Sequence, residues 1–305
     1  MNVKTTAGPV KESIRNLLTA IIDYAGLFPP SQLSMAEAVT KYATYKNSNY
    51  SWMLGRFITP VSRLDEFLEC ASDLIARDRS GGWRLSVLAG EDIGDTIKRI
   101  KRFNEEHGGR VFADTLEVKA NTVSKIENTA KLIPDGVNAY FEVTRGAQFS
   151  ELISALAVRG QRAKIRTGGV THDAFPPSRD IIRFVRTCLA ANVPFKATAG
   201  LHHPIRCYRP LTYAEDAPQG TMHGFLNMLM MTGFARQNYR VGVLEEIMEE
   251  EFEEVFKFED DGIRWQSEDL ITNEQIVRLR ERAFNSFGSC SFEEPIADLR
   301  SFGVL

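Results

Sequence analysis

The feature that most constrains this chain is a regular alternation of short apolar segments with longer amphipathic segments. The apolar segments have the length and composition of buried strands, and the amphipathic segments have the apolar spacing of surface helices. The candidate strands span residues 17–30, 51–60, 83–90, 110–120, 137–144, 163–169, 195–200 and 285–291. Strands that alternate with helices pair in parallel through right-handed crossovers. Eight such units predict an α/β fold, a (β/α)8 TIM barrel whose catalytic residues lie at the carboxyl ends of the strands.

The main alternative to a barrel is an open, doubly wound sheet. That fold carries a GxGxxG turn after its first strand, and no such turn follows residues 17–30. The seventh and eighth candidate strands are separated by far more chain than a barrel connection needs. We therefore predict a single domain over residues 1–305, in which residues 203–283 form an insertion. Within it, FKFEDDGIRWQ predicts a hairpin with DDG as its turn.

Composition limits the class of partner. The chain of 305 residues is 43% hydrophobic and has a net charge of -3, so it lacks the basic character of nucleic-acid-binding proteins. We expect a small-molecule substrate and neither a nucleic-acid nor a membrane partner, whereas a homo-oligomer is among the assemblies that the sequence allows. The start of the chain has no signal-peptide core, and the four cysteines show no CxxC pairing. A cytoplasmic location is the resulting expectation.

Two candidate strands carry lysines where buried side chains are expected. Because side chains alternate between the faces of a strand, Lys164 and Arg166 point the same way in AKIRTGG. In FKATAG, Lys196 and Thr198 likewise share a face. Charged groups are costly to bury unless they are paired or functional. The two strands therefore indicate a site.

Two interpretations of this lysine pair remain open from spacing alone. If both lysines point into the barrel on neighbouring strands, burial and like charge lower a lysine pKa and make the amine a nucleophile. The alternative is a structural ion pair of one or both lysines with Glu117 or Glu142.

The context of the lysines resembles a known family. Lys164, Thr167 and Gly168 form a Lys-x-x-Thr-Gly strand, and Lys196 follows in a Phe-Lys-Ala segment on the next strand. This pair is similar to that of the deoxyribose-phosphate aldolases, which are class I aldolases with a (β/α)8 fold. Further similar segments occur in the family's order along most of the chain: Ile22-Asp23-Tyr24, Leu116-Glu117-Val118, Phe141-Glu142-Val143-Thr144 and Phe287-Gly288-Ser289-Cys290-Ser291.

The resemblance implies a mechanism. Lys164 would form a Schiff base with a small carbonyl substrate, Lys196 would keep Lys164 partly neutral, and Glu117 would transfer the proton. Glu117 stands where the family has an aspartate. Gly200, Leu201, His202 and His203 replace a Gly-Gly segment that binds substrate phosphate in the family.

The predicted function is a class I aldolase or lyase that needs no cofactor and no metal ion. Its substrate is a small carbonyl compound, with or without a phosphate or carboxylate group. Arg166 has no counterpart in the family motif and has the planar group that binds such anions through two bonds. The residues expected to contact substrate are Asp23, Arg56, Glu142, Arg166, Thr167, Thr198, His202, His203, Gly288 and Ser289.

Two other functions are compatible with the sequence. The first is a metal-dependent barrel hydrolase or isomerase that uses His202 and His203, completed by Asp23, Glu142 or His223, although no spacing matches a zinc signature. The second is a non-catalytic barrel that binds a ligand. Cys290 has no partner base recognisable from the sequence, and we interpret it as a small residue of the pocket.

Overall fold

The strands of this protein form one closed parallel barrel and two small antiparallel sheets. The computed structural model describes residues 10–77, 82–143, 146, 148–266 and 268–305. Its strands, in chain order, are Ile22–Tyr24 (β1), Leu54–Pro60 (β2), Trp83–Leu88 (β3), Val111–Ala120 (β4), Asn138–Val143 (β5), Arg162–Arg166 (β6), Phe195–Thr198 (β7), Cys207–Pro210 (β8), Gln219–Met222 (β9), Phe256–Phe258 (β10), Gly262–Trp265 (β11), Asp269–Thr272 (β12) and Phe284–Ser289 (β13).

The barrel has the order β1-β13-β7-β6-β5-β4-β3-β2, and it closes because β1 pairs with both β13 and β2. Every neighbouring pair in it is parallel. This confirms the predicted (β/α)8 fold. Since all eight strands run the same way, their carboxyl ends meet on one face, where active sites of this fold lie.

Helices surround the barrel and bury one apolar side against it. They span Glu12–Leu18 (α1), Met35–Lys46 (α2), Leu64–Arg77 (α3), Ile93–His107 (α4), Val123–Ala130 (α5), Phe149–Val158 (α6), Ser178–Ala190 (α7), Phe225–Arg236 (α8), Val241–Glu249 (α9), Asn273–Arg282 (α10) and Glu293–Ser301 (α11). Helix α3 shows the pattern, because its buried residues Leu64, Phe67, Ala71 and Ile75 recur at helical spacing. Helix α2 begins with a capping box between Ser34 and Glu37.

The predicted insertion lies between β7 and β13. It contains the β8–β9 hairpin, helices α8, α9 and α10, and an antiparallel sheet of β10, β11 and β12. The predicted hairpin is confirmed, since Phe258 pairs with Ile263 across Asp260 and Asp261. The third strand of that sheet was not predicted.

Helix α8 joins the insertion to the barrel. Residues Phe225 to Ala235 are all buried, and the helix packs against α7, α9 and α10. Met228 of α8, Trp265 of β11 and Phe287 of β13 belong to the same continuous hydrophobic core. The methionine-rich segment is therefore interior, and the homo-oligomer stays a prediction. No stretch of helix in the described residues reaches the length and apolar character required of a membrane span.

Candidate active site

A chain of ion pairs crosses the interior of the barrel. Glu117 on β4 contacts both lysines, since its Oε2 is 2.6 Å from the Nζ of Lys164 and its Oε1 is 2.8 Å from the Nζ of Lys196. Lys164 also contacts the Oε2 of Glu142 at 2.9 Å. Lys196 also contacts the Oδ2 of Asp23 at 2.5 Å. Five candidate residues from five strands thus form one buried network.

Strand register explains why these side chains meet. Glu142 on β5 pairs with Lys164 on β6, and Lys164 pairs with Lys196 on β7, so the three lie at one level of the barrel. Residues at one level with the same alternation point the same way. Asp23 completes the network from β1, on the other side of β13.

Hydroxyl and aromatic groups support the network. Ser86 on β3 donates a hydrogen bond to Glu117 at 2.7 Å, and Ser286 on β13 donates one to Asp23 at 2.8 Å. The Nζ of Lys196 lies 5.5 Å from the ring centre of Tyr140, within reach of a cation–π contact. Sequence reasoning missed these groups. The available signal was a serine at an inward position of an otherwise apolar strand.

The network fixes the charge of its two most buried members. Burial alone raises the pKa of Glu117, but the charges and hydrogen bonds of the two lysines outweigh it and hold that pKa well below its usual range. Burial alone lowers the pKa of Lys196, but Asp23 and Glu117 outweigh it and raise that pKa. Glu117 is therefore an anion and Lys196 a cation at neutral pH.

The two lysines do not face each other as bare like charges. The sequence predicted that Lys196 lowers the pKa of Lys164 by repulsion, yet Glu117 lies between the two ammonium groups. The ion pairs considered as the alternative are present, with both Glu117 and Glu142 as partners of Lys164. A carboxylate bridge, rather than repulsion, is the main electrostatic feature of the pair.

A cleft of about 820 Å³ opens at the carboxyl ends of β4, β5 and β6. Glu142 lines it and links it to Lys164, which is 6% exposed, whereas Lys196 is completely buried. Of the two lysines, Lys164 is therefore the one that adjoins the cleft. The residues that line the cleft are Lys119, Ala120, Asn121, Lys125, Glu142, Val143, Ile165, Arg166, Ala174 and Asp180.

Three cations border this cleft. Arg166 ends β6, Lys119 lies near the end of β4, and Lys125 lies on α5. None of the three forms a salt bridge with another described residue, in contrast to the paired lysines of the barrel interior. Since Glu142 and Asp180 are the acidic members of the lining, cations are in excess there.

Other candidates shape the ends of the strands. The hydroxyl of Thr167 donates to the carbonyl oxygen of Ala199 at 2.7 Å and so ties β6 to β7. Gly288 on β13 pairs with Thr198 on β7, next to Ile58. Ser289 is buried, and its hydroxyl accepts a hydrogen bond from the backbone N–H of residue 291 at 3.3 Å. These contacts are structural, and none of the residues lines the cleft.

Arg56 on β2 contacts the network only through its backbone, whose N–H donates to Asp23 at 2.8 Å. Its guanidinium binds Asp114 through two bonds, with its Nε 2.5 Å from Oδ1 and its Nη2 3.1 Å from Oδ2. Arg84, near the start of β3, binds the same carboxylate. Arg56 is thus engaged in a structural ion cluster and is not among the residues that line the cleft. Thr144, from the Phe141 segment, lies outside the described residues.

The histidines do not converge on one point. His202 contacts Glu294 at 3.2 Å and His203 contacts Asp298 at 2.6 Å, each through Nδ1, and the two ring centres are 6.5 Å apart. The Nε2 of His223 donates to a backbone carbonyl oxygen at 2.8 Å. Across the part of the chain that is described, no group of three His, Cys, Asp or Glu side chains has a metal-binding arrangement. The geometry gives the metal-dependent alternative no support.

Comparison with known proteins adds no family assignment. No protein-family model matches the chain, and no curated protein matches it significantly.

Proposed function

We propose that this protein is a class I aldolase-type lyase that forms an imine between Lys164 and a small carbonyl substrate. The observation that carries the proposal is the position of Lys164, an amine held between two carboxylates, one of which, Glu142, lines the cleft of about 820 Å³. The resemblance of the Lys-x-x-Thr-Gly strand to the aldolases also supports it. A barrel fold alone is compatible with many activities.

The charge of the network suits an imine. Lys164 and Lys196 carry two positive charges, and Asp23, Glu117 and Glu142 carry three negative charges when ionised. A protonated imine keeps the positive charge on the nitrogen of Lys164. The carboxylates of Glu117 and Glu142 therefore stabilise the positive charge of the iminium at the place where the amine of Lys164 lies.

The proposed reaction begins when Lys164 gives a proton to Glu142 and its free amine adds to the carbonyl carbon. The former carbonyl oxygen takes one proton from the nitrogen of Lys164 and a second proton that Glu142 returns, it leaves as water, and an iminium remains. Glu142 then takes the proton from a hydroxyl group on the β carbon, the bond between the α and β carbons breaks, and the β carbon leaves as a carbonyl product. The electron pair of the broken bond forms a double bond between the α carbon and the imine carbon, the iminium π pair moves to the nitrogen of Lys164, and an enamine results. Protonation of the α carbon and hydrolysis release the product and restore Lys164.

Glu142 is a better proton carrier than Glu117 on this geometry. Glu142 contacts Lys164 and also lines the cleft, so it reaches both the amine and a bound substrate. Glu117 is buried against two cations, and its pKa is held well below the usual range. The mechanism predicted from the sequence gave proton transfer to Glu117. We assign Glu117 instead the role of a fixed negative charge beside Lys164. Lys196 neutralises that charge in part.

The substrate class follows from the cleft. Arg166, Lys119 and Lys125 supply three cations without a salt-bridge partner among the described residues. Unpaired cations beside a reacting lysine favour a substrate that carries a carboxylate or a phosphate. The family's phosphate-binding Gly-Gly segment is replaced here by Gly200 and Leu201, so we assign the anionic group to the β4–β6 side.

Borohydride trapping tests the imine. The protein is incubated with a panel of small carbonyl compounds that includes pyruvate and acetone, then reduced, digested and mapped by mass spectrometry. We expect the adduct on Lys164. Lys164→Arg keeps the positive charge between the carboxylates but cannot form an imine, so it should lose the adduct while unfolding at a similar temperature. Lys101→Met, on the outer helix α4, is the matched control and should keep it.

The anionic group is tested in the same assay. Pyruvate and acetone are both methyl ketones, and only pyruvate carries a carboxylate. We expect pyruvate to be trapped at lower concentration than acetone, and Arg166→Gln to remove that preference without abolishing the adduct. An adduct confined to another lysine, or one that persists in Lys164→Arg, contradicts the imine mechanism.

A further inference from the structure

A second cavity, of about 230 Å³, lies between the end of the barrel and the β8–β9 hairpin. Its walls include His202 after β7, Tyr213 between β8 and β9, and Glu294 in α11. Cys290, directly after β13, lies behind two of them. Its Sγ is 3.9 Å from the Nδ1 of His202 and 3.8 Å from the hydroxyl oxygen of Tyr213. None of these groups takes part in the lysine mechanism.

The arrangement differs from a relay triad. In a triad the carboxylate holds the ring nitrogen opposite the one that faces the nucleophile. Here the Nδ1 of His202 faces both acceptors, with Glu294 Oε2 at 3.2 Å and Cys290 Sγ at 3.9 Å. A proton on Nδ1 between a carboxylate and a sulfur is the geometry of an imidazolium paired with a thiolate.

The ionisation of the pair agrees with this geometry. Burial raises the pKa of the Cys290 thiol, but the hydrogen bond and charge of His202 outweigh it and leave the pKa below its usual value. Burial lowers the pKa of His202, but its hydrogen bonds with Cys290 and Glu294 outweigh it and raise the pKa to about 9. Below that pH the His202 ring is protonated and carries a positive charge. Burial raises the pKa of Tyr213, so its hydroxyl stays neutral and donates to the thiolate.

The other groups that face Cys290 do not oppose the thiolate strongly. The hydroxyl of Ser31, in the loop after β1, donates a hydrogen bond to the carbonyl oxygen of Cys290 at 3.2 Å. Tyr24 on β1 and Tyr45 on α2 are phenols whose pKa values are raised, mainly by burial. The negative charge of Glu293 also raises the pKa values of these two phenols.

We propose that Cys290 is a nucleophilic thiolate that adds to small α,β-unsaturated carbonyl compounds bound in this cavity. The sulfur forms a bond to the β carbon, the π electrons of the C=C bond move to the carbonyl oxygen, and the resulting enolate takes one proton at its α carbon. His202, which carries a proton on Nδ1, is the donor of that proton.

The walls of the cavity fit this class of ligand. Leu211 and Met222 provide apolar contacts for the carbon skeleton. Arg209 and the hydroxyl of Thr212 can donate hydrogen bonds to the carbonyl oxygen, where negative charge develops. Cys290 itself is 5% exposed, and its sulfur contacts two residues that line the cavity, His202 and Tyr213.

N-ethylmaleimide, an α,β-unsaturated imide, is the probe. The rate of adduct formation at each cysteine is measured by mass spectrometry between pH 6 and 8, with Cys70 as the internal reference. An ordinary thiol, with a pKa of about 8.5, should react roughly a hundredfold faster at pH 8 than at pH 6, because each pH unit changes its thiolate fraction about tenfold. We expect the Cys290 rate to rise less steeply with pH than that of an ordinary thiol and to exceed the Cys70 rate at pH 6.

Removal of the His202 imidazolium should give Cys290 the pH dependence of an ordinary thiol. We expect His202→Asn to lower the Cys290 rate at pH 6 by about tenfold or more, which corresponds to at least one unit of pKa, and to restore the steeper rise with pH. His107→Asn, on the outer helix α4, should leave the rate unchanged, and Cys290→Ser should lose the adduct. Failure to label Cys290 in the folded protein, or an unchanged pH profile in His202→Asn, overturns the proposal. Neither result bears on the imine at Lys164.

Discussion

At the scale of single residues, Glu117 organises the barrel interior. Its two oxygens bind two different lysines, and each lysine has a further carboxylate partner. A buried ion pair contributes little net stability compared with apolar residues, but its disruption is costly because the remaining partner stays buried and charged. Loss of the Glu117 charge would affect Lys164 and Lys196 at once.

We expect Glu117→Gln to lower the free energy of unfolding by about 3 kcal/mol, the lower end of the range for a broken buried pair, because glutamine keeps one acceptor oxygen. Urea unfolding followed by circular dichroism measures it. Glu274→Gln removes the exposed partner of Arg278 on α10 and should change little. Equal effects of the two substitutions would contradict the role of Glu117.

The same carboxylate predicts a pH dependence. The pKa of Glu117 is lowered in the folded protein, so its contribution is complete above its unfolded pKa, about 4.3, and is lost as the pH falls toward the folded value. The free energy of unfolding of the wild-type protein should therefore fall between about pH 5 and pH 3, and that of Glu117→Gln should fall less steeply. Parallel slopes would show that other groups dominate.

Sequence reasoning found the charged residues of the network and missed their supports. Lys164 and Lys196 were recognisable because charge is rare on a buried strand face. Ser86 and Ser286 gave a weaker signal, because a serine on a buried strand face is less unusual than a charge. The contact between His202 and Cys290 was also missed. It depends on the three-dimensional positions of the loop after β7 and the end of β13, which the sequence does not give.

At the scale of elements, the carboxyl ends of β6 and β7 are held close together. A Cβ atom at Gly168 would lie 2.8 Å from the Cα of Gly200 and 2.5 Å from the ring of Phe175. Thr167 adds its hydrogen bond to the carbonyl oxygen of Ala199. This contact sets the spacing of the two strands that carry the lysines.

We expect Gly168→Ala to lower the free energy of unfolding by about 1–3 kcal/mol, because the added methyl group has no room at this contact. Thermal unfolding measures the loss, and borohydride trapping should slow as Lys164 shifts. Gly242→Ala, on α9, is the control, since a Cβ there meets nothing within 4 Å. Equal stability of the two variants would argue against a tight contact between the strand ends.

The barrel elements were predictable and parts of the insertion were not. Each barrel strand is apolar and each is followed by an amphipathic segment. The spacing of the apolar residues and the order of these segments therefore indicated the fold. Strand β8 is largely exposed, and β12 is only four residues long, so neither has a clear apolar pattern. Such strands are defined by their partners rather than by their own sequence.

At the scale of the whole molecule, the insertion and the barrel share one hydrophobic core. Helix α8 is buried, and Trp265 of the three-stranded sheet packs in the same cluster as Trp83 of β3. A shared core favours unfolding as one unit. The insertion should therefore not melt separately.

Tryptophan fluorescence can test whether the insertion and the barrel unfold together. In the double variant Trp52→Phe and Trp83→Phe, only Trp265 remains, so fluorescence reports on the insertion while far-UV circular dichroism reports mainly on the barrel. We expect the two thermal transitions to coincide. Because both signals come from one variant, a general loss of stability shifts them together. An earlier fluorescence transition would show an insertion that unfolds independently.

The closure of the barrel by its last strand affects how this protein is made. Asp23 lies on β1 and Ser286 on β13, so the lysine network gains this hydrogen bond only after the ribosome has released residue 286. Until then β1 and β7 lack the strand that pairs with both of them in the barrel. A nascent chain that ends before residue 284 would expose the edges of β1 and β7 to aggregation, and release of β13 ends that risk.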